Sequence, residues 1–138
     1  MAKLGSRASF HGTVVENLTA AKTLDPSDSG KVFTIDSSSS AFSITLPTAA
    51  NAGAGWNCRF ILTTNGSIVT IQPPSTEDTL IGIIVSTDSA AGESSESGVD
   101  ELKFLAAGAA GDWAELICDG SNFYVSGQEH DNNHMTIS

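Results

Sequence analysis

The chain has 138 residues, 40% of them apolar, which is enough for one domain burying about 68–70% of its unfolded surface. Sixteen acidic residues against six basic ones leave a net charge of −10, which repels a polyanion and argues against nucleic-acid binding. Only 16% of the residues are charged, while 19 serines and 13 threonines predict a surface rich in hydroxyl groups.

The longest apolar run, Leu80 to Val85, is far shorter than the roughly 18 residues of a membrane helix, so no membrane partner is expected. Lys3 and Arg7 are followed by Ser9, His11 and Thr13 where a signal peptide would need an apolar stretch. Cys58 and Cys118 are too few for a disulfide framework and read as core residues, with pairing left open. Charge is unevenly spread: residues up to Leu62 carry five bases and four acids, the remainder one base and twelve acids.

In chain order, residues 1–23 open with Lys3 and Arg7 and no acid in the first ten positions. They read as a basic, flexible arm, either idle or ordering on a partner. Gly12 to Asn17 is a first strand. Lys31 to Asp36 and Phe42 to Leu46 alternate apolar and polar residues as half-buried strands do, and the four serines 37–40 between them predict a hairpin-like connection. Pro47 ends the second of these, and Thr48 to Gly55 fits a single helical turn or a tight loop. Asn65-Gly66 between Phe60–Thr64 and Ser67–Gln72 predicts a hairpin with a type I′ turn. Pro73-Pro74 ends it. Thr79 to Val85 is a further strand with a possible bulge at Gly82, and the serine-rich, acidic stretch Thr87 to Gly98 reads as a long exposed loop.

Strands over Val99–Ala106, Asp112–Cys118 and Asn122–Ser126, joined by short glycine-rich segments, are expected as antiparallel neighbours. The total is about nine short strands, an all-β antiparallel sandwich or barrel over residues 24–127, with an N-terminal arm and a polar tail over 128–138. The expected core is Phe33, Ile35, Phe42, Ile44, Leu46, Phe60, Leu62, Val69, Ile71, Leu102, Phe104, Leu116 and Val125. Nothing in it suggests a cofactor.

Chemistry is sparse. Gly53-x-Gly55 lacks the remaining parts of a phosphate loop, and no serine stands in a Gly-x-Ser-x-Gly elbow. His11, His130 and His134 fall outside the expected strands, where side chains are not held precisely enough for catalysis. His130 and His134 are four apart and would share a face of a helical tail as metal ligands, but Asn132 and Asn133 favour a solvated tail instead. In a homotrimer, three copies of one histidine would also meet on the axis. Asp88, Glu93 and Glu96 lack the spacing of a calcium loop. Trp56 and Trp113 suit the ends of a barrel better than a sugar platform.

Four stretches carry a family resemblance: Leu24-Asp25-Pro26-Ser27-Asp28-Ser29-Gly30-Lys31-Val32-Phe33; Ile44-Thr45-Leu46-Pro47-Thr48-Ala49-Ala50 with Gly53-Ala54-Gly55-Trp56; Gly111-Asp112-Trp113; and Asp119-Gly120-Ser121-Asn122-Phe123-Tyr124-Val125-Ser126-Gly127. In this order and spacing the chain resembles the capsid decoration (cement) proteins of tailed phages and related β-rich virion appendage domains. The resemblance implies a non-enzymatic protein on the outer surface of the capsid. It would be made in the host cytoplasm, bind the major capsid protein and assemble as a homotrimer at local threefold positions. It also implies docking through the N-terminal arm, where Lys3, Leu4, Arg7, Phe10, Val14 and Val15 are the candidate contacts. The alternative it carries is a head or tail fibre module binding a receptor or glycan, although no heptads or shaft repeats accompany the domain. A small hydrolase is the third reading, with the three histidines as its candidates.

Overall fold

The computed structural model describes residues 12–74, 79–88 and 93–138, with backbone alone for 93–97. Twelve strands occur among them: β1 (Val15–Leu18), β2 (Lys22–Thr23), β3 (Val32–Asp36), β4 (Phe42–Thr45), β5 (Asn57–Thr64), β6 (Val69–Gln72), β7 (Leu80–Ser86), β8 (Glu93–Val99), β9 (Leu102–Phe104), β10 (Trp113–Cys118), β11 (Phe123–Glu129) and β12 (Met135–Ile137). A 3-10 turn at Pro26–Asp28 and one short helix, α1 (Ala49–Ala52), complete the elements. The strands form a seven-stranded sheet, β1-β3-β5-β10-β11-β7-β8, and a five-stranded sheet, β12-β9-β6-β4-β2.

Both sheets are mixed, which corrects the expectation of an antiparallel fold of nine strands. The first six strands alternate between the sheets, so β1, β3 and β5 run parallel in one, and β2, β4 and β6 run parallel in the other. Each passage of the chain thus lays one strand in each sheet, giving three stacked coils. A parallel neighbour needs a crossover, and here the crossover is a strand of the opposite sheet. From β7 onward the pairings include antiparallel ones: β8 beside β7, β9 beside β6, β10 between β5 and β11, and β12 beside β9.

The two expected hairpins are corners between sheets. Ser37 to Ser40 carries the chain from β3 to β4, and Asn65 to Ile68 carries it from β5 to β6. A type I′ turn needs positive φ at both central residues. Among the described residues the only non-glycine with positive φ is Asn133, so Asn65-Gly66 turns differently. The two corners stack: the Ser37 amide donates to Thr64 O at 2.9 Å and the Ser67 amide to Ser37 Oγ at 3.4 Å. A Cβ on Gly66 would stand 3.0 Å from Ser38 Cα, so the glycine serves close approach of one corner to the next.

Residues 93–98 of the expected loop, together with Val99, form β8, paired antiparallel with β7, and the register shift between Leu80 and Gly82 is the expected bulge. Thr48 to Gly55 contains the expected helical turn. Thr48 Oγ1 accepts from the Asn51 amide at 3.2 Å, and Gly53 leaves the turn at φ 77°. The boundary drawn at residue 127 falls inside β11, and the stretch read as a polar tail supplies β12, with Met135 and Ile137 buried. Residues 15–18 and 22–23 of the stretch read as an arm are strands of the two sheets.

All thirteen expected core residues are buried, and they join residues of both sheets in one hydrophobic cluster. Each fully buried phenylalanine or leucine contributes about 1.5–3 kcal/mol relative to exposure. Phe33 stacks on Phe60 across the β3–β5 pair at 5.5 Å. Trp56 is buried edge-on to Phe123 at 5.9 Å, with Nε1 donating to Asp25 O at 3.3 Å, as an end plug should. Trp113 is not a plug: it lies half-buried on the outer face of its sheet, under the Arg59 guanidinium at 4.9 Å. Cys58 and Cys118 are both buried.

Candidate functional site

Two regions gather polar chemistry. The first joins segments far apart in sequence at one carboxylate. Asp112 precedes β10 and is wholly buried. Its Oδ1 accepts from the His130 amide at 2.9 Å and from His130 Nδ1 at 2.6 Å, and its Oδ2 accepts from the Ala109 amide at 2.7 Å and His134 Nδ1 at 3.0 Å. Burial opposes ionisation of Asp112, but these hydrogen bonds and the charge of His134 outweigh it and hold the acid below its ordinary range. An ionised carboxylate only accepts, so both imidazoles carry a proton on Nδ1.

His130 and His134 are therefore brought together, though by a turn between β11 and β12 and not by a helix. Asn133 takes a left-handed conformation there, φ 73°, which asparagine tolerates best among non-glycine residues. The buried Glu129 at the end of β11 braces the same turn, its Oε2 accepting from the amides of His134 at 3.0 Å and Met135 at 2.6 Å. Burial pushes the Glu129 carboxyl above its ordinary range, and its Oε1 is buried with no hydrogen-bond partner among the described residues. The arrangement clasps β11 of one sheet to β12 of the other.

Beside it lies a cleft of about 200 Å³ lined by Thr87, Gly111, Trp113, Gln128, Glu129 and His130. His130 and Asp112 stand as a base and its orienting acid would, the ring bonded to the carboxylate through Nδ1, and the same carboxylate also holds His134. Among the described residues no group of three or more His, Cys, Asp or Glu is placed to hold a metal ion. Asp88 lies near this turn, accepting from the Asn132 amide at 3.4 Å. The side chains of Glu93 and Glu96, and all of His11, are outside the described residues. Sequence reasoning missed Asp112 as the centre of this cluster, because nothing local links it to residues 18 and 22 positions downstream.

The second region is the open end of the first coil. β1 and β2 are edge strands of the two sheets, with no strand beyond either among the described residues. Glu16 of β1 binds Lys22 of β2 and, at 3.3 Å, Lys31, whose Nζ also binds the buried Asp28 at 2.6 Å. Lys22 and Lys31 thereby hold the Glu16 carboxyl below its usual range. Charges turned inward on edge strands discourage indiscriminate strand addition. Outside this cluster Val14 and Val15 are 57% and 61% exposed, beside a shallow depression of about 230 Å³ that Thr13, Lys31, Val32 and Arg59 help to line. Lys3, Leu4, Arg7 and Phe10 lie outside the described residues.

No family model matches the chain, and no curated protein or solved structure is significantly similar to it.

Proposed function

We propose that the chain is a non-enzymatic capsid decoration protein. It binds the outer surface of an assembled lattice of major capsid protein, as a homotrimer at local threefold positions, and stabilises the head. The observation that carries this reading is the open end at β1 and β2, where edge strands of both sheets and the exposed Val14 and Val15 follow directly on the basic stretch holding Lys3 and Arg7. The two sheets around one core act in this reading as a rigid β-sandwich body. Leu4, Phe10, Val14 and Val15 supply apolar contact, and Lys3 and Arg7 pair with acidic groups on the capsid. Binding that recognises only the assembled lattice stabilises it by mass action, and many copies per shell add avidity. The protein would be made in the host cytoplasm and reside on the virion.

The test is co-sedimentation with empty heads lacking the protein. Full-length chain is compared with a chain beginning at Gly12 and with the full-length V14K/V15K variant. Saturation by full-length chain in multiples of three copies, with weaker binding by the other two, supports the reading. No binding by any of them overturns it.

The cleft beside Trp113 favours a second reading, a fibre or adhesin module. The Trp113 ring with the exposed Thr87 and Gln128 beside it suits a glycan, since the ring packs on a sugar and the polar groups bond its hydroxyls. Binding on a glycan array that is lost in W113A would put this reading first.

A further inference from the structure

Asn65-Gly66 is the one Asn-Gly pair in the chain, and Asp119-Gly120 the one Asp-Gly pair. A glycine in second place presents its nitrogen to the preceding side-chain carbonyl with no Cβ in the way. The fold treats the two pairs oppositely. At Asp119 both groups are engaged: Oδ1 accepts from the amides of Ser121 and Asn122, each at 2.7 Å, and Oδ2 from Tyr124 Oη at 3.1 Å. These bonds, that from the Asn122 amide foremost, hold the acid below its ordinary range, and the Gly120 amide donates to Cys118 Sγ at 3.2 Å. The corner between β5 and β6 leaves its pair open. Asn65 and Gly66 are both exposed, and the Asn65 side chain makes one hydrogen bond among the described residues, from Nδ2 to Ala106 O at 3.3 Å. Among the described residues Asn65 Oδ1 accepts no hydrogen bond and the Gly66 amide donates none, although the next amide, that of Ser67, is bonded to Ser37 Oγ.

We propose that Asn65 is a site of covalent self-modification, a spontaneous deamidation that the folded chain permits there and denies to the corresponding reaction at Asp119. The Gly66 nitrogen forms a bond to Asn65 Cγ, the Cγ–Nδ2 bond breaks, and Nδ2 departs as ammonia with the proton that the amide gives up. Water then opens the cyclic imide. Attack at Cγ leaves an aspartate, and attack at the main-chain carbonyl leaves an isoaspartate, whose main chain runs through Cβ and Cγ. Water is the sole co-reactant, and nothing is oxidised or reduced. The reaction needs no capsid, so it proceeds whether or not the decoration reading holds.

Either product loosens the stack of corners. Each adds a negative charge next to Thr64, whose register partner Asp36 already holds the neighbouring corner by accepting from the Ser38 amide at 3.0 Å, and like charges across a strand pair repel. Isoaspartate also adds a carbon to the main chain where there is no slack, since even a Cβ on Gly66 would stand 3.0 Å from Ser38 Cα.

Peptide mass spectrometry of the full chain, held in mildly alkaline buffer both folded and in urea, tests this over time. In the folded chain the mass gain of deamidation is expected first in the peptide holding Asn65, with electron-transfer fragmentation showing isoaspartate beside aspartate. Asp119 is expected to isomerise in urea alone. N65Q should remove the gain from that peptide while keeping the circular dichroism of the parent, and N65S serves if N65Q fails to fold. A folded chain that stays intact at Asn65 while the chain in urea converts there overturns the inference, as does conversion of another asparagine ahead of Asn65 in the folded chain. Converted protein should melt below the parent, and below N65D, which carries the charge on an unaltered main chain. Melting with the parent would overturn the account of the corner.

Discussion

Asp112 and His130 are bonded twice through one oxygen: Oδ1 accepts both the His130 amide at 2.9 Å and the His130 ring Nδ1 at 2.6 Å. With Oδ2 taking Ala109 and His134, a single buried carboxylate joins the entry to β10 with the turn that delivers β12. D112A strands these donors, two of them backbone amides, and should cost about 2–4 kcal/mol, read as a lower urea midpoint. Because the folded-state pKa of Asp112 is depressed, its contribution is present above its ordinary value near 3.8 and is lost as pH falls through the folded value. The gap between parent and D112N should therefore narrow in acid.

Glu129 predicts the opposite slope. Burial raises its folded-state pKa above 4.5, so its protonated form favours folding and that contribution is lost as pH rises through the folded value. E129Q mimics the neutral acid and keeps an acceptor for the His134 and Met135 amides. Its urea midpoint should exceed that of the parent at pH 7 and match it at pH 4. A midpoint below that of the parent at pH 7 would mean that the ionised carboxylate is tolerated there.

Gly82 faces Val125 across the parallel β7–β11 pair. A Cβ at Gly82 would stand 1.9 Å from Val125 O, a backbone atom that cannot swing aside. G82A should destabilise by about 3 kcal/mol or more or prevent folding, as overpacking against fixed atoms does. At Gly12 a Cβ meets nothing within 4 Å. G12A is the matched control, and its melting temperature should equal that of the parent.

The thiols should be inert in the native state. Cys58 pairs with Leu116 across β5 and β10, which leaves Cys118 on the diagonal, about 7–8 Å away, too far for a disulfide. Burial also pushes the Cys58 thiol well above its ordinary range, so little thiolate forms. Titration with a thiol reagent should find no fast-reacting group in native protein and two after denaturation.

Alternation of apolar and polar residues was enough to determine the all-β class, every expected core residue and most strand positions, because a side-chain period of two depends only on local backbone geometry. The helical turn at Thr48 and the bulge at Gly82 were legible for the same reason: capping and glycine conformation act within a few residues. Which strand lies beside which was decided only in three dimensions. Ser37 to Ser40 and Asn65-Gly66 read as hairpin turns, yet the inward residues on either side of each belong to different sheets, and stacked corners then make the neighbours parallel. The clasp was equally hidden, since Asp112 meets His130 and His134 only after β10, β11 and β12 have taken their places. Hydrophobic pattern selects the face that each strand buries, and it carries no information about partner or direction. Those follow from how three coils and their antiparallel additions close over one core.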